Sequence, residues 1–329
     1  MAPRKTQFLA GALVILAGLC GCGVGTASRS VAPEVPQRQL WKTDAHAGVI
    51  LRSGAYKIHS TVEDEEFNRK LLVVMEAALQ QYRKLAPSVR PDPRPMECYV
   101  FANRRQWAEF TRQQTGEDAA IYLQINRGGY TIGDVFVAYY LGDHGTFAVA
   151  AHEGWHQFVS RHFQNRLPPF LEEGLATTFE SITWSSSGEP RWTSARNVAR
   201  AERLRKAIQT GSLWPLESLL AMHAGDVVSQ PPDRIEAFYA QNWAFARFLR
   251  EAEEGRYRLG LQRMIDDAVA GRLPAQSGRS DRPAGTFNPA GVRPLLEHYL
   301  GAELSQIDLA YQRFIRKIAR DEPVPEHAR

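Results

Sequence analysis

"TFAVAAHEGWHQFVSRHF" (residues 146–163) is the stretch on which the reading of this chain turns. It reads as a helix, with Thr146 as the N-cap candidate. Positions four apart share one helix face, so His152 and His156 can present both imidazoles to a single ion. Glu153 projects about 100° away from His152, beside such an ion rather than onto it. That is where a general base for an attacking water would sit. Two helical histidines alone more often flank a surface, so the argument needs a third donor: a catalytic ion of this kind keeps three protein ligands and one open position.

Downstream, "PPFLEEGLATTFE" (168–180) supplies adjacent carboxylates, Glu172 and Glu173, behind two prolines suited to a helix's first turn. Neighbours on a helix point about 100° apart, so only one of the two can face the ion. HEGWH followed by Leu-x-Glu-Gly-Leu-Ala (171–176) resembles the gluzincin, or peptidase MA-like, superfamily of zinc metallopeptidases. The resemblance covers roughly residues 130–250 and is strongest over 152–176. It implies a zincin-like fold, one zinc ion per chain, and a peptide or protein substrate. By the same resemblance His152, His156 and Glu173 are the metal ligands and Glu153 the catalytic base. Glu172 becomes a flanking acid, and Thr177, one turn after Glu173, is placed to support a ligand from behind.

A further segment, "DRIEAFYAQNWAFARFL" (233–249), resembles the gluzincin helix whose first-turn tyrosine hydrogen-bonds the developing oxyanion, which points to Tyr239. It opens on an Asp-x-x-Glu capping box at Asp233. Its stripe of Ile235, Phe238, Asn242, Phe245 and Leu249 leaves Tyr239 on a different face. His223 and Tyr257 are the alternative donors. His162 would be the third histidine of the related metzincin pattern, but the required intervening glycine is missing, and it reads as a surface residue. The chain also departs from gluzincin aminopeptidases. Their Gly-x-Met-Glu-Asn strand is absent from "GGYTIGDVFVAYY" (128–140), so specificity for a free amino terminus is unsupported. That strand can still pair with an extended peptide. Asp134 and Asp143 are candidates for substrate contacts, with solvated loop acids as the plainer reading.

Around these motifs the chain alternates strand and helix as far as residue 145 and is mainly helical from 146 to 329. The expected fold is α+β: a small mixed sheet with helices, then a helical half, with the HEGWH helix at the junction. At 329 residues, 44% hydrophobic and 23% charged, the composition is that of an ordinary globular protein. A net charge of +4 without a long basic run argues against a nucleic-acid partner. Three scattered cysteines do not offer a closed structural zinc site. Cys98, in the strand-like "MECYVFA", reads as a small buried hydrophobe. The rival to an enzyme is a non-catalytic envelope lipoprotein that uses a peptidase-like fold for binding. Its mark would be loss of Glu153 or of a ligand, and neither is lost.

The start of the chain, "MAPRKTQFLAGALVILAGLCGCG", sets Arg4 and Lys5 before a short apolar run from Phe8 to Leu19. This is the pattern of an export signal, too short to span a membrane comfortably. Leu19-Cys20-Gly21-Cys22 resembles a bacterial lipobox, with a signal peptide over residues 1–22 and Cys22 as the lipidated residue. Cys20 is the alternative site, and a plain secretory signal the alternative to an anchor. Residues 23–40 read as a flexible tether ahead of the domain at 41–329. The expected location is therefore the cell envelope, facing the periplasm or exterior, on a membrane-bound lipid. Mass spectrometry of the mature N-terminus should find an acylated Cys22; an unmodified terminus beginning beyond Cys22 would make the chain a plain secreted protein.

Overall fold

Short alternating runs of aromatic, β-branched and small residues build a six-stranded mixed sheet in the first part of the chain. The computed structural model describes residues 37–42, 47–125, 128–193, 197–227, 229–273 and 289–321. The expected signal segment, Cys22 and the tether up to residue 36 lie outside the described residues. Strands β1 (Gln37–Lys42), β2 (Ala47–Arg52) and β3 (Tyr56–Ser60) form an antiparallel meander. Helix α1 (Glu65–Leu85) crosses over to β4 (Met96–Phe101), which lies parallel to β3. Helix α2 (Arg104–Thr115) and the short α3 (Ala119–Tyr122) lead to the hairpin β5 (Gly129–Ile132) and β6 (Val135–Tyr139). Strand β6 joins parallel to β4 and leaves β5 as an antiparallel edge, giving the order β1-β2-β3-β4-β6-β5.

The α+β class holds, but the sheet begins earlier than the sequence suggests. Residues 37–40, read as tether, pair with β2 residue by residue. Polar and proline-rich composition hid a strand whose hydrogen bonds come from a partner further along the chain. Within β4, Met96, Cys98 and Val100 alternate onto one face, and the Cys98 thiol is fully buried there. On the opposite face Phe101 meets Val137 and Tyr139 under Trp107 of α2.

Helix α4 (Asp143–His162) packs against α1 on one side and β5–β6 on the other. It starts three residues before Thr146. Its N-cap is Gly142 at φ 82°, while the Thr146 hydroxyl donates to the Gly142 carbonyl at 2.7 Å and accepts from Leu141 N–H at 2.9 Å. Gly154 is fixed by packing: a Cβ there would stand 2.8 Å from the Tyr82 hydroxyl, which itself bonds the Ala151 carbonyl. Gln157 ties α4 to the sheet, donating to the carbonyls of Glu97 (2.7 Å) and Asp134 (2.6 Å).

Among the described residues the regular structure of the remainder is helical apart from one small hairpin. Helix α5 (Pro169–Thr178) is followed by β7 (Ile182–Trp184) and β8 (Pro190–Trp192), a pairing without a clear sequence signature. Then come α6 (Val198–Thr210), α7 (Leu216–Leu220), α8 (Ala224–Val227), α9 (Pro232–Glu251), α10 (Arg258–Val269), α11 (Val292–Leu300) and α12 (Leu304–Asp321). Pro231 caps α9, with Pro232 inside its first turn. Asp233 therefore lies within the helix and forms no capping box. From Ala237 onward α9 is buried on most of its circumference, with Phe238, Trp243, Phe245 and Phe248 fully inside. No helix among the described residues is long and apolar enough to cross a membrane.

Helices α5 and α9 touch most closely at Gly174, where a Cβ would lie 2.4 Å from the Asn242 carbonyl oxygen and 3.1 Å from Ala246 Cβ. Gly174→Ala is expected to force the helices apart and cost ~1–3 kcal/mol in denaturant unfolding. Gly54→Ala, with nothing within 4 Å of the added carbon, serves as the control. Equal stability of the two variants would show that the helix contact is looser than described.

Candidate metal centre

The i, i+4 spacing on α4 brings the His152 and His156 Nε2 atoms to 3.3 Å from each other. Glu173 on α5 reaches across, with one carboxylate oxygen 3.5 Å from His152 Nε2 and the other 3.6 Å from His156 Nε2. Donor atoms of these three residues all lie within 4.8 Å of one another. Two imidazoles and one carboxylate make the three-ligand open set that suits a divalent transition ion, zinc among others.

Behind each histidine stands a second carboxylate. His156 Nδ1 is 2.9 Å from Glu172, which is only 3% exposed. His152 Nδ1 is 2.9 Å from Glu180, two residues past the end of α5. A carboxylate accepting from Nδ1–H leaves the Nε2 lone pair turned inward, towards the other donors. The carboxylates are held in turn by arginines. Arg166 forks onto Glu172, and Arg200 donates to Glu180 at 2.7 and 2.8 Å, with Asn197 adding 3.0 Å. Glu180, Arg166 and Arg200 carry no motif. The only sequence signal for Glu180 was its place a heptad on from Glu173.

Charge balance tests the fit of a cation. Glu153, Glu172, Glu173 and Glu180 meet Arg166 and Arg200, so neutral histidines leave two negative charges in a buried volume. A divalent cation supplies what is missing. Without one, protons fill the role. Burial disfavours a charged His152, yet its hydrogen bonds to Glu173 and Glu180 outweigh this and lift its pKa to about 9. Against the same burial penalty, His156 is also raised well above its ordinary range, by Glu173 and Glu172. Burial acts against the Glu180 charge as well, but Arg200 and His152 hold it down at about 2.

Glu153 stays out of the ligand group. Its carboxylate accepts at 3.0 Å from the Thr131 hydroxyl on edge strand β5, a contact the sequence did not indicate. Burial raises its pKa, and the two histidines oppose the rise. Tyr239 is partly buried, with its ring 5.1 Å from the Arg200 guanidinium carbon. Burial and then the Glu173 charge push its phenol well up.

Other expected residues sit elsewhere. The Thr177 hydroxyl is spent on the Gly174 carbonyl at 2.6 Å, so it supports α5 rather than a ligand. Asp134 is bound by Arg161, and Asp143 accepts from the Tyr140 hydroxyl at 2.8 Å. His223 pairs with Asp226 at 3.3 Å, and Tyr257 is buried against Phe248. His162 is half-buried, its ring 4.8 Å from that of Phe158. Comparison of the chain with protein-family models and with curated proteins gives no match.

An ion needs the Nε2 lone pairs, whereas the metal-free chain holds a proton on His152 below about pH 9. That protonated pair stabilises the metal-free fold below the ring's ordinary pKa, and the contribution fades as pH rises through about 9. Zinc affinity should therefore climb with pH up to about 9 and zinc uptake at neutral pH should release protons. Calorimetry in buffers of differing ionisation enthalpy measures this; uptake without proton release would contradict the protonated resting state.

Proposed function

We propose that this chain is a zinc-dependent metallohydrolase of the gluzincin type, a peptidase of the cell envelope with a zincin-like fold. The observation that carries the reading is the convergence of His152, His156 and Glu173, with Glu153 beside them on the side of edge strand β5. Bound there, a zinc ion would act as a Lewis acid towards the substrate and lower the pKa of water.

The chain's own residues supply the rest. Strand β5 offers an unpaired edge on which an extended peptide can lie, placing a carbonyl near the histidines. Glu153, held by Thr131, takes the proton from the attacking water and passes it to the leaving amine. Its raised pKa suits a group that must both accept and return a proton. Tyr239, kept protonated by burial, donates a hydrogen bond to the carbonyl oxygen as charge builds on it. Attachment to a membrane through Cys22 rests on the lipobox-like sequence and would hold the domain at the envelope surface.

The test is zinc content and turnover, on peptides from a broad library, for wild type, Glu153→Gln and Tyr239→Phe. Glu153→Gln should retain zinc and fold while losing ~10²–10⁴ in rate. Tyr239→Phe should also retain zinc and lose about 10²–10³. Wild-type turnover surviving Glu153→Gln would sink the mechanism. Zinc binding with no peptide cleaved would favour a non-catalytic binding protein instead.

A further inference from the structure

We infer that Arg200 is a positioning residue that joins the two halves of the reaction centre, the metal-ligating side and the carbonyl-polarising side. The inference rests on the metallopeptidase reading above. Arg200 lies in the first turn of α6, where Asn197 builds its seat. The Asn197 side-chain oxygen caps the Arg200 N–H at 3.1 Å, and its amide donates to Glu180 at 3.0 Å. The guanidinium then presents two different surfaces. Its edge gives a two-pronged hydrogen bond to Glu180, at 2.8 Å from Nε and 2.7 Å from Nη2. The Glu180 oxygen that takes the second of these bonds also contacts His152 Nδ1 at 2.9 Å. The guanidinium carbon meanwhile lies 5.1 Å from the centre of the Tyr239 ring.

One planar group thus holds Glu180 behind the His152 imidazole and also packs against the ring of Tyr239, the proposed donor to the substrate carbonyl. A planar fork with an aromatic-facing surface does both at once, and a lysine ammonium can do neither in the same way. Arg166 is the internal contrast. It holds Glu172 behind His156 with the same fork but has no ring against it among the described residues, and its side chain is 39% exposed against 17% for Arg200. The two arginines should therefore behave alike towards zinc and differently towards Tyr239.

The experiment measures zinc affinity by competition with a chromophoric chelator, and kcat at saturating zinc on a peptide the wild type cleaves. Arg166→Lys and Arg200→Lys should each weaken zinc about 10–100-fold, as loss of support behind a ligand does. Arg200→Lys should in addition lower kcat about 10²-fold through a displaced Tyr239, with KM little changed. A double-mutant cycle isolates the link. In a Tyr239→Phe background, Arg200→Lys should cost no further kcat, whereas the effect of Arg166→Lys should multiply with that of Tyr239→Phe. If Arg200→Lys does not fold, Glu180→Gln cuts the same chain from its other end, and its kcat loss should likewise shrink in the Tyr239→Phe background. Full multiplication for both arginines, or unchanged zinc affinity in Arg200→Lys, would overturn this inference alone. A wild type that takes up no zinc, or cleaves no peptide, would overturn the reaction reading and this inference together.

Discussion

A largely enclosed cluster of four carboxylates and two guanidinium groups, with every carboxylate ionised, is short of two positive charges. That requirement organises the centre of this protein. Isolated ions at such depth would cost several kcal/mol each, and three of the four carboxylates stand against charged or chargeable partners, while Glu153 accepts from the Thr131 hydroxyl. Glu172 has Arg166 and His156; Glu180 has Arg200 and His152; Glu173 sits between the two histidines. The groups come from α4, from α5 and its flanking residues, and from α6, and the docking of these segments matches charge to charge. The remaining deficit is the size and sign of a divalent cation.

Close packing makes the charge pattern possible. Glu173 can reach the α4 histidines because its neighbour Gly174 lets α5 lie directly on the backbone of α9. The second residue of the HEGWH interior, Gly154, plays the same part for α4 against Tyr82 of α1. Both glycines stand beside residues of the candidate site, and neither needs an unusual backbone conformation. What they provide is the absence of a side chain at a helix–helix contact. Behind them the aromatic cluster of Tyr82, Trp155, Phe158 and Phe179 makes the support rigid.

The support around the histidines is layered: imidazole, then carboxylate, then arginine. Each layer comes from a different part of the chain, with Arg200 on α6 backing Glu180 and Arg166 preceding α5 backing Glu172. Such layering fixes ring orientation, keeps the Nε2 lone pairs converging, and keeps the carboxylates ionised.

Local patterns were legible because they depend on neighbours a few residues apart. The i, i+4 histidines, the prolines opening α5 and the alternation in β4 all follow from backbone geometry that the sequence itself encodes. The α+β class and the place of the histidine helix between sheet and helical half were legible for the same reason. Residues 37–40 were misread because a strand's identity depends on its partner, and the hairpin of β7 and β8 gave too short a signal. Thr146 and Asp233 were misplaced by a turn or less, since several residues near each helix start could serve as caps. Thr177 looked free to help a ligand because spacing does not show that its hydroxyl is taken by its own helix. Thr131 against Glu153, Glu180 against His152 and Arg200 against Tyr239 join residues 22, 28 and 39 positions apart, which no periodicity links. The sequence alone determined which residue types could gather around an ion. Only the tertiary structure decided which carboxylate faces inward and which stands behind, because that choice is made by how closely two helices can approach.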